Sequence, residues 1–308
     1  MTDERWELAE ALAESGRAVR AAIGEPGGSD DAEVVRFAGG DDVFGVDARA
    51  DEVLVAALEE LCGERWPGTL VLEGFDEALP VGGGDGPWRY LADPVDGSRP
   101  WLWGKRSAYV LVGAGRDAAT LADLEVGACV ELPTPRAALG LVAWAVRGAG
   151  FEAQDDILAV SGVSRPAELV PLADERLDHR FVSVARYAIG TKAAVGAWED
   201  AVLAGLAVYE DPYISSGGML VEVAAGRQAA VLDPRPLVAA DAMVTHPYDL
   251  AAWVVASEAG VVVEDLRGGP LTAPLDTRTP VAWAAYANEL IAAELRRRIT
   301  SVGLDPPS

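Results

Sequence analysis

Apolar residues recur at helical spacing from the first positions of the chain. In TDERWELAEALAESGRAVRAAIG, Trp6, Leu12 and Val19 mark one face and acids fill the first turn, which predicts a helix with Thr2 as N-cap, ending near Gly24. GGSDD reads as a loop. DDVFGVD carries a turn or short strand, and a second helix follows with Leu54, Val55, Leu58, Leu61 and Cys62 on one face. The pattern then shortens to strand length. GTLVLEGF predicts a short strand ending at Glu73, and WRYLA predicts one ending at Asp93. SAYVLVGAG and LEVGACVEL read as consecutive strands, and LGLVAWAVRGAGFEAQ as further strand with a turn. Between them, ALPVGGGDGP lacks the Gly-Lys-Ser/Thr ending of a phosphate-binding loop and reads as flexible connection.

The rhythm changes in the second half. DHRFVSVAR begins another unit, and TKAAVGAWEDAVLAGLAVYE is helical. SSGGMLVEVAAGRQAAVL predicts a helix opening on small residues, then a strand. THPYDLAAWVVASEAGVVVEDLRGGPL predicts a helix and a strand, with Pro247 near the helix start and Gly260 just past its end. NELIAAELRRRI closes as a helix. Strands cluster early and alternate with helices later. This predicts a layered α/β protein with alternating helix and sheet layers, an antiparallel sheet in the first half and a mixed sheet in the second, in halves at residues 1–165 and 166–308.

Composition narrows the function. The 308 residues are 50% apolar, enough for a sizeable core, and the formal net charge is −24. So acidic a surface repels nucleic-acid backbones and anionic membranes. It also repels a phosphorylated small molecule unless bound cations reverse the sign locally. Cys62 and Cys129 are too few for a disulfide framework, and no apolar run reaches membrane-spanning length. The expectation is a soluble cytoplasmic protein.

The stretch YLADPVDGSRPW then stands out, because an apolar run ends on two carboxylates and a rigid turn. Pro94 disfavours the α conformation at Asp93, and Gly97 lets the chain turn steeply. Asp93, Asp96 and the Val95 carbonyl can then offer three hard oxygens, which suits Mg2+ with its preference for octahedral oxygen at roughly 2.0–2.1 Å. If Ser98 begins a helical turn, the N–H groups of Gly97 and Ser98 form an anion site beside the metal. Asp-Pro and Asp-Gly are also ordinary turn dipeptides. Likewise Asp47 and Asp249 can serve helix N-termini, and Glu73 can be a solvated loop acid.

Taken in order, the pieces DDVFGVD, VLEGF, DPVDGS, SSGGMLVEVAAGRQAAV and YDLAAWVVASEAGVVVEDLRGGP resemble the inositol monophosphatase-like family of magnesium-dependent, lithium-sensitive phosphatases. The resemblance covers most of the chain, and its two long motifs are specific. It implies that Glu73, Asp93 and the Val95 carbonyl hold one metal and that Asp93, Asp96 and Asp249 hold a second, with two or three Mg2+ ions in all. It implies that Asp47 hydrogen-bonds Ser98, and that this pair activates water together with Glu73. The N–H groups of Gly97 and Ser98 would hold phosphate, and Ser216 and Asp233 would touch the alcohol part of the substrate. The family also implies a homodimer and a small phosphorylated substrate. Inositol phosphate comes first, with sugar phosphates, fructose-1,6-bisphosphate and 3′-phosphoadenosine 5′-phosphate open. Two metals roughly 3.5–4 Å apart clamp both ends of an in-line displacement.

Several positions depart from the family pattern. Gly74 stands for the second acid of a Glu-Glu pair, and Ser98 for threonine. Pro100-Trp101 replaces Asn-Phe, Tyr248 replaces tryptophan, and Ala251-Ala252 replaces Ala-Gly. None removes an implied metal ligand. The competing class is a fold relative kept for binding or assembly. His179 and His246 are the only histidines and suggest no nucleophilic triad; His246, three residues before Asp249, could approach the site, although an N-cap or surface role suits it better. Lys105 and Arg106 could meet phosphate, although they read better as a solvated strand start.

Overall fold

The computed structural model describes residues 3–24, 31–38, 41–187, 191–211, 213–239 and 243–304. The first helix, α1 (Glu4–Ile23), begins at Asp3, whose side chain accepts the Arg5 N–H. The expected cap, Thr2, and most of the GGSDD loop lie outside the described residues. A hairpin of β1 (Val34–Ala38) and β2 (Asp41–Phe44) leads into α2 (Gly45–Cys62).

Eight strands then build one sheet: β3 (Gly68–Leu72), β4 (Leu79–Val81), β5 (Trp88–Asp96), β6 (Ala108–Arg116), β7 (Val126–Leu132), β8 (Leu139–Val146), β9 (Gly150–Ile157) and β10 (Ser164–Pro166). The short helix α3 (Ser98–Leu102) follows β5. The spatial order is β10-β9-β8-β7-β6-β5-β3-β4. Its neighbours are antiparallel except β3 and β5, which are parallel, so this sheet is not purely antiparallel. ALPVGGGDGP is not all connection, because Leu79–Val81 pair as β4 and the left-handed Gly82, Gly83 and Gly84 turn the chain back.

The second half comprises β11 (Val182–Val184), α4 (Lys192–Val202), α5 (Ser216–Ala224), β12 (Ala230–Asp233), α6 (Arg235–Val238), α7 (Trp253–Glu258), β13 (Val262–Asp265), β14 (Trp283–Tyr286) and α8 (Glu289–Val302). Its strands form a mixed sheet in the order β11-β12-β14-β13. The helix expected from YDLAAW is divided: Pro247–Leu250 make a 3-10 turn, and α7 begins at Trp253.

The large sheet is covered on both faces, which explains why its strands read as unbroken apolar runs. Successive side chains point to opposite sides of a strand. Thus Tyr90, Ala92, Val110, Val112, Ala128 and Val130 pack under α1 and α2. Leu91, Tyr109, Leu111, Cys129 and Ala143 face a second apolar cluster that includes Met219 of α5 and Val254 of α7. The α5 and α7 helices contact both sheets, and α8 lies against β14 and α4. Close approach of α1 to β7 needs Gly16, where a Cβ would come within 2.6 Å of the Val130 side chain. Among the described residues no helix is long and apolar enough to cross a membrane.

Candidate active site

The end of β5 organises the site. Asp93 pairs with Leu111 of β6, yet Asp96 pairs with Tyr109, so three steps on β5 oppose two on β6. Pro94 lies in this bulge, where its missing N–H withdraws a donor from the ladder. The bulge is pinned by Asp93 itself, whose Oδ1 accepts the Val95 N–H at 3.0 Å. Asp93 and Asp96 are both buried. Parallel pairing sets Leu72 opposite Ala92, and the Glu73 N–H donates to the Ala92 carbonyl, so Glu73, just past the end of β3, comes beside Asp93 of β5.

Two helix-start acids complete the cluster. Asp47 lies in the first turn of α2 and accepts the Phe44 N–H at 2.8 Å. Asp249 lies in the 3-10 turn and accepts the His246 N–H at 2.6 Å. Carboxylate oxygens of Asp93, Asp96 and Asp249 fall within 4.8 Å of one another. A cavity of about 220 Å³ opens over them, lined also by Asp47, Glu73 and Ser98.

Lost hydration and mutual repulsion dominate the electrostatics. Loss of solvent, then the charges of Asp47 and Asp249, push the Glu73 carboxyl well above its ordinary range. Asp93 moves the same way through burial and then Glu73, and Asp249 through burial and then Asp96. Burial also lifts Asp96, to about 6, although hydrogen bonds from Ser215, Ser216 and Gly217 counter it. Among the described residues no arginine or lysine forms an ion pair with Glu73, Asp93, Asp96 or Asp249. The guanidinium that acts on Asp249, that of Arg235, is committed to Asp233.

Most residues expected at the site meet there. Asp47, Glu73, Asp93, Val95, Asp96, Gly97, Ser98 and Asp249 all line the cavity. No hydrogen bond joins Asp47 to Ser98 among the described residues. Ser216 and Asp233 do not line the cavity. Ser216 is buried, with its Oγ 3.3 Å from Thr245 Oγ1 and its N–H on Asp96. Asp233 is fully buried against Arg235, because α6 begins directly after β12 and folds that arginine back over it. Of the remaining candidates, His246 borders the cavity with its ring stacked on Tyr248, whereas Arg106 pairs with Asp211 and His179 stands beside Tyr209.

Sequence reasoning missed Arg99, Tyr187 and Met243, which line the cavity, and within SSGG it chose Ser216 where Ser215 is the lining residue. Ser215 had a readable signal, since a serine three residues before Gly218 is a helix N-cap and the structure uses it so. Gly97 is required sterically: its φ is 91°, and a Cβ there would lie 2.9 Å from Ser215 Cβ. Gly74 has φ 76°, and a Cβ there would meet Nη2 of Arg36, which itself pairs with Asp51 at 2.8 Å.

Comparison with solved structures identifies the fold. The extragenic suppressor protein SuhB from Bartonella henselae matches with a TM-score of 0.65 at 19% identity, over 95% of this chain and 96% of that one. An IMPase from Thermotoga maritima matches at 0.65 and 16% identity, over 97% and 98%. Fructose-1,6-bisphosphatase from Leishmania major matches at 0.68 and 12% identity, over 96% and 93%. The chain has the inositol monophosphatase-like fold. No family model and no curated protein matches its sequence. Within this inositol monophosphatase-like fold, the acidic cavity gathers the end of β5, the starts of α2 and α3, and the turn carrying Asp249.

Proposed function

We propose that the chain is a Mg2+-dependent phosphatase that hydrolyses a small phosphate monoester. The observation that carries this reading is four carboxylates, Glu73, Asp93, Asp96 and Asp249, around one cavity without a paired lysine or arginine among the described residues. Such a cluster is strongly self-repelling, and a bound cation relieves it. The donors are all oxygen, which suits a hard ion such as Mg2+. The residues therefore fit the group that the resemblance implies. Glu73, Asp93 and the Val95 carbonyl would hold one ion, and Asp93, Asp96 and Asp249 a second.

When bound, the ions supply Lewis-acid charge for a water nucleophile and for the phosphate oxygens. In this reading the chain's own groups orient the reactants. Asp47 and Ser98, together with Glu73, would position and activate the attacking water. The N–H groups of Gly97 and Ser98 receive the phosphate. The cavity would also reconcile an acidic protein with an anionic substrate, because cations held there would become the largest local charges. Inositol phosphate is the first substrate choice, supported by the likeness to structures named as inositol monophosphatases. The likeness to a fructose-1,6-bisphosphatase keeps sugar bisphosphates next.

The test is phosphate release from inositol phosphate, sugar phosphates, fructose-1,6-bisphosphate and 3′-phosphoadenosine 5′-phosphate, with and without Mg2+. Activity that needs Mg2+ and disappears in Asp93→Asn is expected. Equal, metal-independent background in both proteins would favour a binding or assembly protein instead.

A further inference from the structure

The carboxylate of Asp96 is held by a segment 119 residues further along the chain. Ser215 caps α5: its Oγ accepts the Gly218 N–H at 2.9 Å and donates to Asp96 Oδ2 at 2.8 Å. The Gly217 N–H donates to the same oxygen at 2.6 Å, and the Ser216 N–H donates to Oδ1 at 3.1 Å. A carboxylate oxygen offers two lone-pair directions. Oδ2 is therefore filled by protein donors, and Oδ1 keeps one direction open.

We propose that Ser215 is a positioning residue for Asp96, and that Asp96 takes part in cation binding through Oδ1 alone because Ser215 and Gly217 occupy Oδ2. The proposal rests on the cation-binding reading above and assigns a function to a serine that touches no ion itself. The packing around it is consistent with a fixed carboxylate. A Cβ on Gly217 would lie 2.8 Å from Asp96 Oδ2 and 2.5 Å from Leu111 Cδ2, and a Cβ on Gly97 would lie 2.9 Å from Ser215 Cβ. Small residues on both sides thus let the serine reach the acid. Without the hydroxyl, the carboxylate loses a short donor and gains freedom to rotate. Losing such an outer hydrogen-bond partner of a metal ligand typically costs about 10- to 100-fold in metal affinity.

The experiment is Mn2+ binding without substrate, read by the electron paramagnetic resonance of free Mn2+, on the full chain. Wild type is compared with Ser215→Ala, Ser215→Gly and Ser215→Thr. Dissociation constants about 10- to 100-fold higher are expected for Ala and Gly, with Thr close to wild type because it keeps the hydroxyl. If Ser215→Ala fails to fold, Ser215→Gly decides, since glycine caps a helix almost as well as serine. Folded Ala or Gly variants that bind Mn2+ like wild type would reduce Ser215 to a helix cap and overturn the proposal. A wild-type chain that binds no Mn2+ overturns the cation-binding reading as well, which separates the two failures.

Discussion

The guanidinium of Arg235 meets the carboxylate of Asp233 at 2.6 Å, and neither side chain has any exposure to solvent. The arginine is used on every side. Its Nη1 donates to the Met243 carbonyl, its Nη2 to the Tyr187 hydroxyl, and its Cζ lies 4.1 Å from the Tyr187 ring centre. Because Tyr187 and Met243 line the cavity, this pair supports the cavity wall from behind.

Removing one member of that pair strands the other in a dry interior. Arg235→Ala is expected to destabilise the protein by about 3–5 kcal/mol. Urea unfolding checks this, and a change below about 1 kcal/mol would show that the pair is relaxed or hydrated.

Asp93→Asn should separate stability from activity. Asp93 is buried beside Glu73 and Asp96, and burial first, then their charges, raises its pKa well above the ordinary range, so a neutral amide there removes the cost of protonating or burying the acid in the metal-free protein. The melting temperature in EDTA should rise while Mg2+-dependent phosphate release vanishes. A fall in melting temperature would mean that the carboxylate is neutralised in some other way.

The pH dependence of stability has a definite sign. Burial lifts Asp96 to about 6, and lifts Asp51 and Glu199 to about 7 despite their arginine partners. Between the ordinary carboxylate values and these, the folded chain binds more protons than the unfolded chain. Its stability therefore falls as pH rises from about 4 to about 7, by about 1.4 kcal/mol per pH unit for each fully titrating group. Glu73, Asp93 and Asp249 shift in the same direction and extend the trend upward. Denaturant titrations in EDTA should show this decline. Added Mg2+ should stabilise more at pH 8 than at pH 5, because it binds the deprotonated acids. Equal stabilisation at both pH values would count against binding at this cluster.

Gly97→Ala tests the turn that follows the two aspartates. The left-handed backbone alone costs a side chain about 1–2 kcal/mol, and the contact with Ser215 adds to it. Loss of both thermal stability and Mn2+ affinity is expected, by calorimetry and direct binding. An unchanged Mn2+ affinity would show that this turn and α5 need not meet closely.

Much of the fold was legible because its signals are local. Helical spacing marked α1, α2 and α8, and strand-length apolar runs marked β5 to β9. Boundaries moved where turn chemistry intervened, as at the Asp93–Asp96 bulge and the 3-10 turn before α7. Gly82 to Gly84 looked like slack connection because nothing local says that Val81 pairs with Gly68.

By itself the sequence determined the order of the acids along the chain, the rigid turn of DPVDGS and the periodicity that builds two sheets with helices. These depend on backbone sterics and on neighbours a few residues away. Only the tertiary structure decided that β3 lies parallel to β5, so that Glu73 meets Asp93. It also decided that Ser215 rather than Ser216 lines the cavity, and that Asp233 faces Arg235 rather than a ligand. The reason is physical. Whether a polar side chain points at a cavity, a carboxylate or a guanidinium depends on which group arrives opposite it when distant segments pack, and the free energy of burial rewards whichever pairing leaves no polar group unsatisfied.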